Sequence, residues 1–296
     1  MRRLFKKILL LVLLGFSLFF LMKFTLRNYQ KKTYISALVD KLSMVQENKS
    51  TKKIILLGGS NIGFGVSAEE IEKRLGIKTI NLGLNMHLGL TDFQAFLCRN
   101  LTKDDIVVFA PEWEFYSKPD YCDPRTLNDL IVNNYKYGEL IGNNKYVIKS
   151  LFSNINLAIF QTDVSQNKTP YIYHCFNKNG DIISHCNLPA PGPKKTTVDT
   201  LPLRLDLFPK YFPFLLTNKT IFLFPPVQDR VYNKYKDYLN HIHQALTDRH
   251  YIVVDSVANN VYPVSDFFDT EYHVKCDVRP GRTEKLIAFL QQFINK

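Results

Sequence analysis

The stretch IILLGGSNIGFGVSAEEIEKRL, at residues 54–75, decides the fold that we predict for this chain. Its first four residues are an apolar run of the kind that forms a buried strand. Two glycines and Ser60 follow, and Ser67 and Glu70 then have the spacing of a capping box at the start of an amphipathic helix. A strand, a glycine-rich turn and a helix in this order indicate an α/β unit.

The same alternation continues along the chain. Further strands are predicted at 77–82, 106–110, 219–224 and 251–255, and further helices at 91–101, 229–249 and 281–294. Because the strands are apolar throughout, we expect them to be buried on both faces. The pattern therefore predicts an α/β fold with a mostly parallel sheet.

The positive charge is concentrated at the N-terminus. The chain of 296 residues has a net charge of +11, but residues 1–32 hold eight basic side chains and no acidic one. Without those eight charges the remainder carries only +3. The excess does not indicate a nucleic-acid-binding face, and we expect no nucleic acid as a partner.

An uncharged, leucine-rich run at residues 8–22 lies between basic residues, and no small-residue cleavage pattern follows it. We predict that 1–30 is a signal anchor with one transmembrane helix and that the body lies outside the cytoplasm. A cleaved signal peptide and an N-terminal core helix are the alternatives. The polar residues 31–51 are interpreted as a linker or stalk. The domain would then span 52–296, with an insertion at about 117–217.

Three interpretations of the glycine-serine turn are open. A phosphate-binding loop lacks support, because no lysine follows the second glycine and no acid ends the second strand. The glycines could instead permit a turn in which Ser60 caps a helix. Alternatively, Ser60 is a nucleophile at the carboxyl end of the sheet, where open α/β folds bind ligands.

A nucleophilic serine needs a base and a group that orients the base. Asp269 and His273 precede the final predicted helix, so their loop is also expected at the carboxyl edge of the sheet. Asp266 and Glu271 are alternative orienting groups. We therefore predict a Ser60–His273 pair.

Three blocks of the sequence resemble the SGNH (GDSL-type) hydrolase superfamily. They are the GGSN turn at residues 58–61, the segment NLGLN with Gly83, and the Asp…His pair before the last helix. The N-terminal segment and the ending FFDTEYHV…GRTEKL are similar to exported polysaccharide O-acetyltransferases and D-alanyl-lipoteichoic acid proteins, which often work beside a membrane-bound O-acyltransferase. The resemblance covers about 52–116 and 218–296 and implies a flavodoxin-like three-layer α/β/α sandwich.

The resemblance also implies roles for particular residues. Ser60 would be the nucleophile, His273 the general base and Asp269 its orienting group. The backbone N–H groups of Ser60 and Gly83 would form the oxyanion hole. Further candidates for substrate contact are Asn61, Asn85, Glu112 and Trp113.

Two features depart from the pattern of this superfamily. An Asn usually follows the third strand and donates to the oxyanion, but here PEWEFY stands there, so Asn61, Asn81 or Asn85 would have to replace it. The Asp and His usually stand three residues apart, whereas Asp269 and His273 stand four apart.

The function that we expect is acyl transfer or ester hydrolysis on the acyl groups of a cell-surface polysaccharide. Acetyl is the acyl group that we expect. The alternative is a non-catalytic protein of the same fold that binds glycan or scaffolds an export complex. We expect no cofactor, because a serine nucleophile carries the chemistry, and no metal.

Five cysteines show no C-x-x-C spacing. Cys175 and Cys186, which are close in a polar stretch, are the first candidates for a disulfide. His174 and His185 lie beside them, so a metal site is the alternative, with a disulfide-bonded loop as the simpler interpretation.

Overall fold

The computed structural model describes residues 2–26, 33–150, 169–193 and 197–295. Its strands are β1 Lys53–Gly58, β2 Lys78–Asn81, β3 Ile106–Ala110, β4 Lys219–Phe222, β5 Val227–Gln228, β6 Ile252–Val253 and β7 Val261–Tyr262. Five of these strands form a parallel sheet in the order β2-β1-β3-β4-β6, and β5 pairs with β7.

Helices connect and cover these strands. We number them α1 Arg2–Leu26, α2 Ala37–Glu47, α3 Ser60–Gly65, α4 Ala68–Leu75, α5 Gln94–Asn100, α6 Pro124–Asn133, α7 Tyr135–Ile141, α8 Phe208–Tyr211, α9 Phe214–Thr217, α10 Asp229–Asp248 and α11 Arg279–Ile294. Residues 144–150 are also helical.

The sheet is buried on both faces. Along β1, Ile54 and Leu56 belong to one apolar cluster, and Ile55 and Leu57 belong to another, because successive side chains point to opposite faces. Helices α3, α4 and α11 contribute to the first cluster, and α2, α5 and α10 to the second. The predicted α/β fold with a mostly parallel sheet is confirmed, and its layers are compatible with the three-layer sandwich.

The predicted elements differ from the observed ones mainly at their ends. The third strand has the predicted bounds, whereas the last helix begins two residues earlier than predicted, at Arg279. The strand predicted at 251–255 shortens to Ile252–Val253 because it lies at the sheet edge and pairs with β4 alone. Ser67 is the N-cap of α4, as predicted, and its side chain accepts a hydrogen bond from the Glu70 N–H.

Residues 31–51 do not form the expected stalk in the part that the structure describes. They contain α2, in which Leu38, Leu42 and Val45 are buried against the sheet. The polar residues between them hide this spacing of one buried side chain every three or four residues. Lys41 is also fully buried, and its Nζ donates to the Gly83 carbonyl at 2.5 Å and to the Gly180 carbonyl at 2.6 Å.

The predicted transmembrane helix is not found. The N-terminal segment forms α1, and its described apolar side chains, such as Leu10 and Phe16, are exposed. Among the described residues, no helix combines the length and the apolar character that a membrane crossing requires.

The described parts of the insertion are hydrogen-bonded directly to the core. The Asn179 carbonyl accepts the N–H of Asn81 at the end of β2, at 2.8 Å. The buried carboxylate of Asp181 accepts the N–H groups of Ala68 and Glu69, at 2.7 and 3.1 Å, and so caps α4 from outside its own segment.

Truncating α2 tests whether this helix belongs to the core. We expect Leu42→Ala to lower the free energy of unfolding by about 2–5 kcal/mol, because Leu42 is fully buried. Gln46→Ala, an exposed position on the same helix, should change it by less than about 0.5 kcal/mol. Urea unfolding of the full chain measures both, and equal values for the two variants would contradict the packing of α2.

Candidate active site

The turn after β1 is built around two glycines that have no room for a side chain. A Cβ on Gly58 would collide with the carbonyl oxygen of Ala110, and one on Gly59 would collide with the carboxyl group of Glu112. Gly59 is the N-cap of α3, and Ser60 is its first helical residue, so Ser60 does not cap the helix.

Glu112 lies beneath this turn rather than in contact with the pocket. Its buried carboxyl group accepts the N–H of Gly59 at 3.2 Å and the N–H of Asn61 at 3.4 Å. Burial raises the pKa of Glu112 to about 8, and the neighbouring Glu114 contributes in the same direction. Trp113 is also buried, stacked on Phe224, so neither residue lies where we expected a substrate contact.

The Asp269–His273 pair forms despite its unusual spacing. His273 Nδ1 lies 2.8 Å from Asp269 Oδ1, so the predicted orienting group is the one in contact, and neither Asp266 nor Glu271 replaces it. Tyr171 donates from its hydroxyl to Asp269 Oδ2 at 2.5 Å. Burial raises the pKa of Asp269, but the hydrogen bonds from His273 and Tyr171 outweigh it and hold the pKa below its usual value.

Two contacts hold His273 in place, one to its imidazole ring and one to its backbone. Its ring stacks on Phe64 with 3.9 Å between centroids and 3° between planes. The backbone N–H of His273 donates to Thr270 Oγ1 at 3.2 Å. Because Phe64 belongs to α3, the helix that begins with Ser60 also positions the ring of His273.

Ser60 and His273 line the same pocket, of about 420 Å³. Its other lining residues are Tyr34, Leu84, Asn85, Met86, His87, Tyr171, Thr270, Glu271 and Tyr272. The hydroxyl of Ser60 makes no hydrogen bond within the part of the chain that the structure describes, to His273 or to another group. Catalytic hydrogen bonds in unliganded sites are often longer than in complexes with substrate.

Of the two N–H groups that we expect to serve as oxyanion donors, the one of Gly83 is already hydrogen-bonded. Gly83 donates it to Asn81 Oδ1 at 3.0 Å, and Gly83 does not line the pocket. The side-chain amide of Asn61 is also engaged, because it donates to the Ala110 carbonyl at 2.9 Å. Asn85 does line the pocket, and its Nδ2 has no hydrogen-bond partner among the described residues.

The disulfide joins a different pair from the one expected. Cys186 is bonded to Cys276, ninety residues further along the chain, and Cys175 is a buried free thiol whose pKa burial raises to about 11. Spacing along the chain favours Cys175 as the partner, but the fold brings the loop after His273 beside Cys186. Burial lowers the pKa of His185 to about 3, so its ring is neutral at pH 7.

Sequence reasoning missed three side chains that build this site. Tyr171 donates a hydrogen bond to Asp269, and Tyr34 lines the pocket. Lys41 donates a hydrogen bond to the carbonyl of Gly83 and so holds its loop. Tyr171 lies in the insertion and Lys41 in the supposed stalk, and neither stands in a motif. No signal in the sequence connects them to residues so distant along the chain.

No protein-family model matches this chain, and no curated protein matches it in sequence. A function for this chain is therefore inferred from the geometry of the pocket and from the short motifs that surround Ser60 and His273.

Replacing Tyr171 tests the hydrogen bond to Asp269. In Tyr171→Phe the carboxylate loses a donor that stabilises its charged form, so we expect the pKa of Asp269 to rise. Carbon-13 NMR titration of aspartate carboxyl groups measures the change.

Tyr173→Phe is the matched control for this experiment. It removes a similar tyrosine–carboxylate hydrogen bond, to Asp40 Oδ2 at 2.5 Å, from the same segment of the chain. An Asp269 titration that is the same in both variants and in the wild type would contradict the arrangement.

The buried Glu112 predicts a pH dependence of stability. Its pKa is raised from 4.5 to about 8 in the folded protein. Between these values the folded state retains a proton that the unfolded chain has released, so stability falls as the pH rises, by up to about 1.4 kcal/mol per pH unit. Glu112→Gln should remove this contribution to the slope.

Urea unfolding at several pH values between about 5 and 8 measures this slope. Glu47→Gln is the control, because Glu47 is an exposed glutamate at the end of α2. A slope in Glu112→Gln that equals the slope of the wild type would show that Glu112 is ionised throughout this range.

Proposed function

We propose that this chain is a serine-dependent acyltransferase or esterase of the SGNH type, which acts on acyl groups of a cell-surface polysaccharide. One observation carries the proposal: Ser60, directly after β1, and a histidine oriented by Asp269, just before α11, line the same pocket. A serine, a base and an orienting carboxylate are the groups that acyl transfer requires.

The hydrogen bond to Asp269 assigns the proton positions on His273. Since Nδ1 faces the carboxylate, it carries the proton, and Nε2 is left able to accept one. The Tyr171 hydroxyl also lies 3.2 Å from Nδ1, but it donates its own proton to Asp269 and so does not donate to Nδ1. His273 is thus held in the tautomer that a general base needs.

The first half-reaction forms an acyl-serine. Ser60 Oγ attacks the carbonyl carbon of the acyl group while its proton passes to Nε2 of His273. Asp269 stabilises the imidazolium that results, and the tetrahedral intermediate then collapses as the same proton moves to the departing oxygen. A water or an acceptor hydroxyl reverses these steps, which gives hydrolysis or transfer.

The oxyanion donors that we propose differ from those implied by the resemblance. The backbone N–H of Ser60 is at the start of α3, where it has no partner within the helix. The second donor is the side-chain amide of Asn85, since the N–H of Gly83 is engaged by Asn81. Each such donor typically contributes about 3–4 kcal/mol to the stabilisation of the transition state.

The pocket favours a substrate with a polar, ring-shaped body and a short acyl group. Tyr34, Tyr171 and Tyr272 provide aromatic surface at its wall, and Asn85 and Thr270 provide polar groups. A volume of about 420 Å³ is at the small end of ligand pockets. An O-acetylated sugar residue fits this combination.

The disulfide supports a location outside the cytoplasm, because such bonds persist mainly in oxidising compartments. We propose that the domain works in the periplasm or at the cell exterior. A membrane-bound O-acyltransferase is the partner that we propose as its acyl donor.

A second candidate is a protein of the same fold that binds glycan without catalysis. Two observations favour it: Ser60 Oγ makes no hydrogen bond to His273, and the N–H of Gly83 is bonded to Asn81. This candidate requires the same pocket but no covalent step at Ser60.

Covalent labelling distinguishes the two candidates. The full chain is incubated with a fluorophosphonate or an activated acetyl ester, and we expect one added group on Ser60 in an intact mass spectrum. Ser60→Ala and His273→Ala should each reduce labelling by about 10⁴-fold or more, since the residues act as a unit.

His87→Ala is the matched control, because His87 also lines the pocket but its Nδ1 lies 2.8 Å from the Tyr121 hydroxyl rather than beside Asp269. It should label as the wild type does. If folded wild type is not labelled, or if Ser60→Ala labels equally, the catalytic proposal fails and glycan binding becomes the explanation of the pocket.

A further inference from the structure

A second group of reactive side chains lies next to the loop that carries His273. It consists of His185, Cys186 and Cys276, which we call the thiol–imidazole cluster. One ring nitrogen of His185 and the two sulfur atoms all lie within 4.8 Å of one another. The two cysteines are joined as a disulfide, and Cys186 is exposed to solvent.

The imidazole of His185 has one polar neighbour, the backbone of Val274, in otherwise apolar surroundings. It is 98% buried, and neither of its nitrogens makes a hydrogen bond of good geometry with the described residues. Its neighbours are aromatic, with Phe64 at 4.6 Å and Phe268 at 5.4 Å between ring centroids. Leaving a buried polar group without a hydrogen bond is costly, so each such group calls for an explanation, and a bound ion is one of those known.

We propose that reduction of the Cys186–Cys276 disulfide turns this cluster into a metal site for one Zn²⁺ or Cu⁺ ion. Two thiolates and one imidazole are the donor set that these ions prefer. One imidazole nitrogen of His185 supplies the third donor, which a pair of cysteines alone lacks. The exposed Cys186 provides the route by which the ion enters.

Metal binding at this cluster first requires that the disulfide be reduced. The disulfide takes up two electrons and two protons from a dithiol, which itself becomes a disulfide. The metal ion then displaces both thiol protons to solvent and accepts a lone pair from His185. Disulfide and metal are mutually exclusive, so occupancy depends on the redox state of the surroundings.

The cluster is one aromatic ring away from the candidate active site. Phe64 contacts the ring of His185, with 4.6 Å between centroids, and also stacks on His273, with 3.9 Å between centroids. Cys276 also follows His273 by three residues in the same loop. The inference does not depend on the proposed function, because metal binding is measured without any activity.

The test is a metal titration of the full chain. The protein is reduced with dithiothreitol, the reductant is removed under argon, and Co²⁺ is added as a spectroscopic substitute for Zn²⁺. We expect one equivalent to bind with a thiolate-to-cobalt charge-transfer band, which Zn²⁺ then abolishes. The oxidised protein should show no such band.

Variants identify the ligands. His185→Ala should weaken binding by more than about 100-fold, since losing only an outer-shell partner of a metal costs about 10- to 100-fold. Cys98→Ser is the matched control, because Cys98 is an exposed free cysteine outside the cluster, and it should bind as the wild type does. Equal binding by His185→Ala and wild type, or loss of binding in Cys98→Ser, would overturn the proposal.

A measurement on the wild type covers the case in which His185→Ala does not fold. Zn²⁺ should protect Cys186 and Cys276 of the reduced protein from alkylation by iodoacetamide, as mapped by peptide mass spectrometry. The exposed Cys98 should stay reactive in the same sample. Alkylation of Cys186 and Cys276 at the same rate with and without Zn²⁺ would also overturn the proposal.

Discussion

The contact between the Glu112 carboxyl group and the turn after β1 is the interaction on which the candidate site depends. The carboxyl occupies the space that a side chain at Gly59 would need, and it accepts backbone N–H groups on either side of Ser60. Ser60 is thereby held at the beginning of α3. The same helix presents Phe64 to the ring of His273.

This arrangement explains how a site can form where the expected asparagine is missing after β3. Glu112, from the PEWEFY segment, does not donate to a substrate but supports the serine turn from beneath. The side-chain amide that we propose as an oxyanion donor belongs to Asn85, which lines the pocket from the loop after β2. Different residues would thus provide the support and the donor, as the proposed acyl transfer requires.

Segments outside the blocks that resemble the SGNH superfamily do more than cover the sheet, because they also supply side chains that hold the candidate site together. The insertion supplies Tyr171 to the carboxylate of Asp269 and Asp181 to the N-terminus of α4. Helix α2 supplies Lys41, whose burial lowers its pKa to about 8 while it holds the Gly83 and Gly180 carbonyls. Residues from all these segments therefore form the candidate site, and His185 of the thiol–imidazole cluster contacts the same Phe64 ring that stacks on His273.

The sequence by itself determined the parallel sheet, the turn at Ser60 and the loop with Asp269 and His273. Apolar periodicity and capping residues are local features, and the carboxyl ends of parallel strands necessarily share one edge of the sheet. Even the four-residue spacing proved compatible with contact, since a loop can bring Asp269 to Nδ1 of His273.

Only the tertiary structure decided which groups meet across long stretches of chain. The partner of Cys186, the burial of Lys41, the contact of Tyr171 with Asp269 and the occupied N–H of Gly83 all depend on packing between distant segments. Such contacts follow from how surfaces of whole elements fit together. No local pattern of residues encodes that fit, which is why the stalk and the disulfide were predicted wrongly while the sheet was predicted correctly.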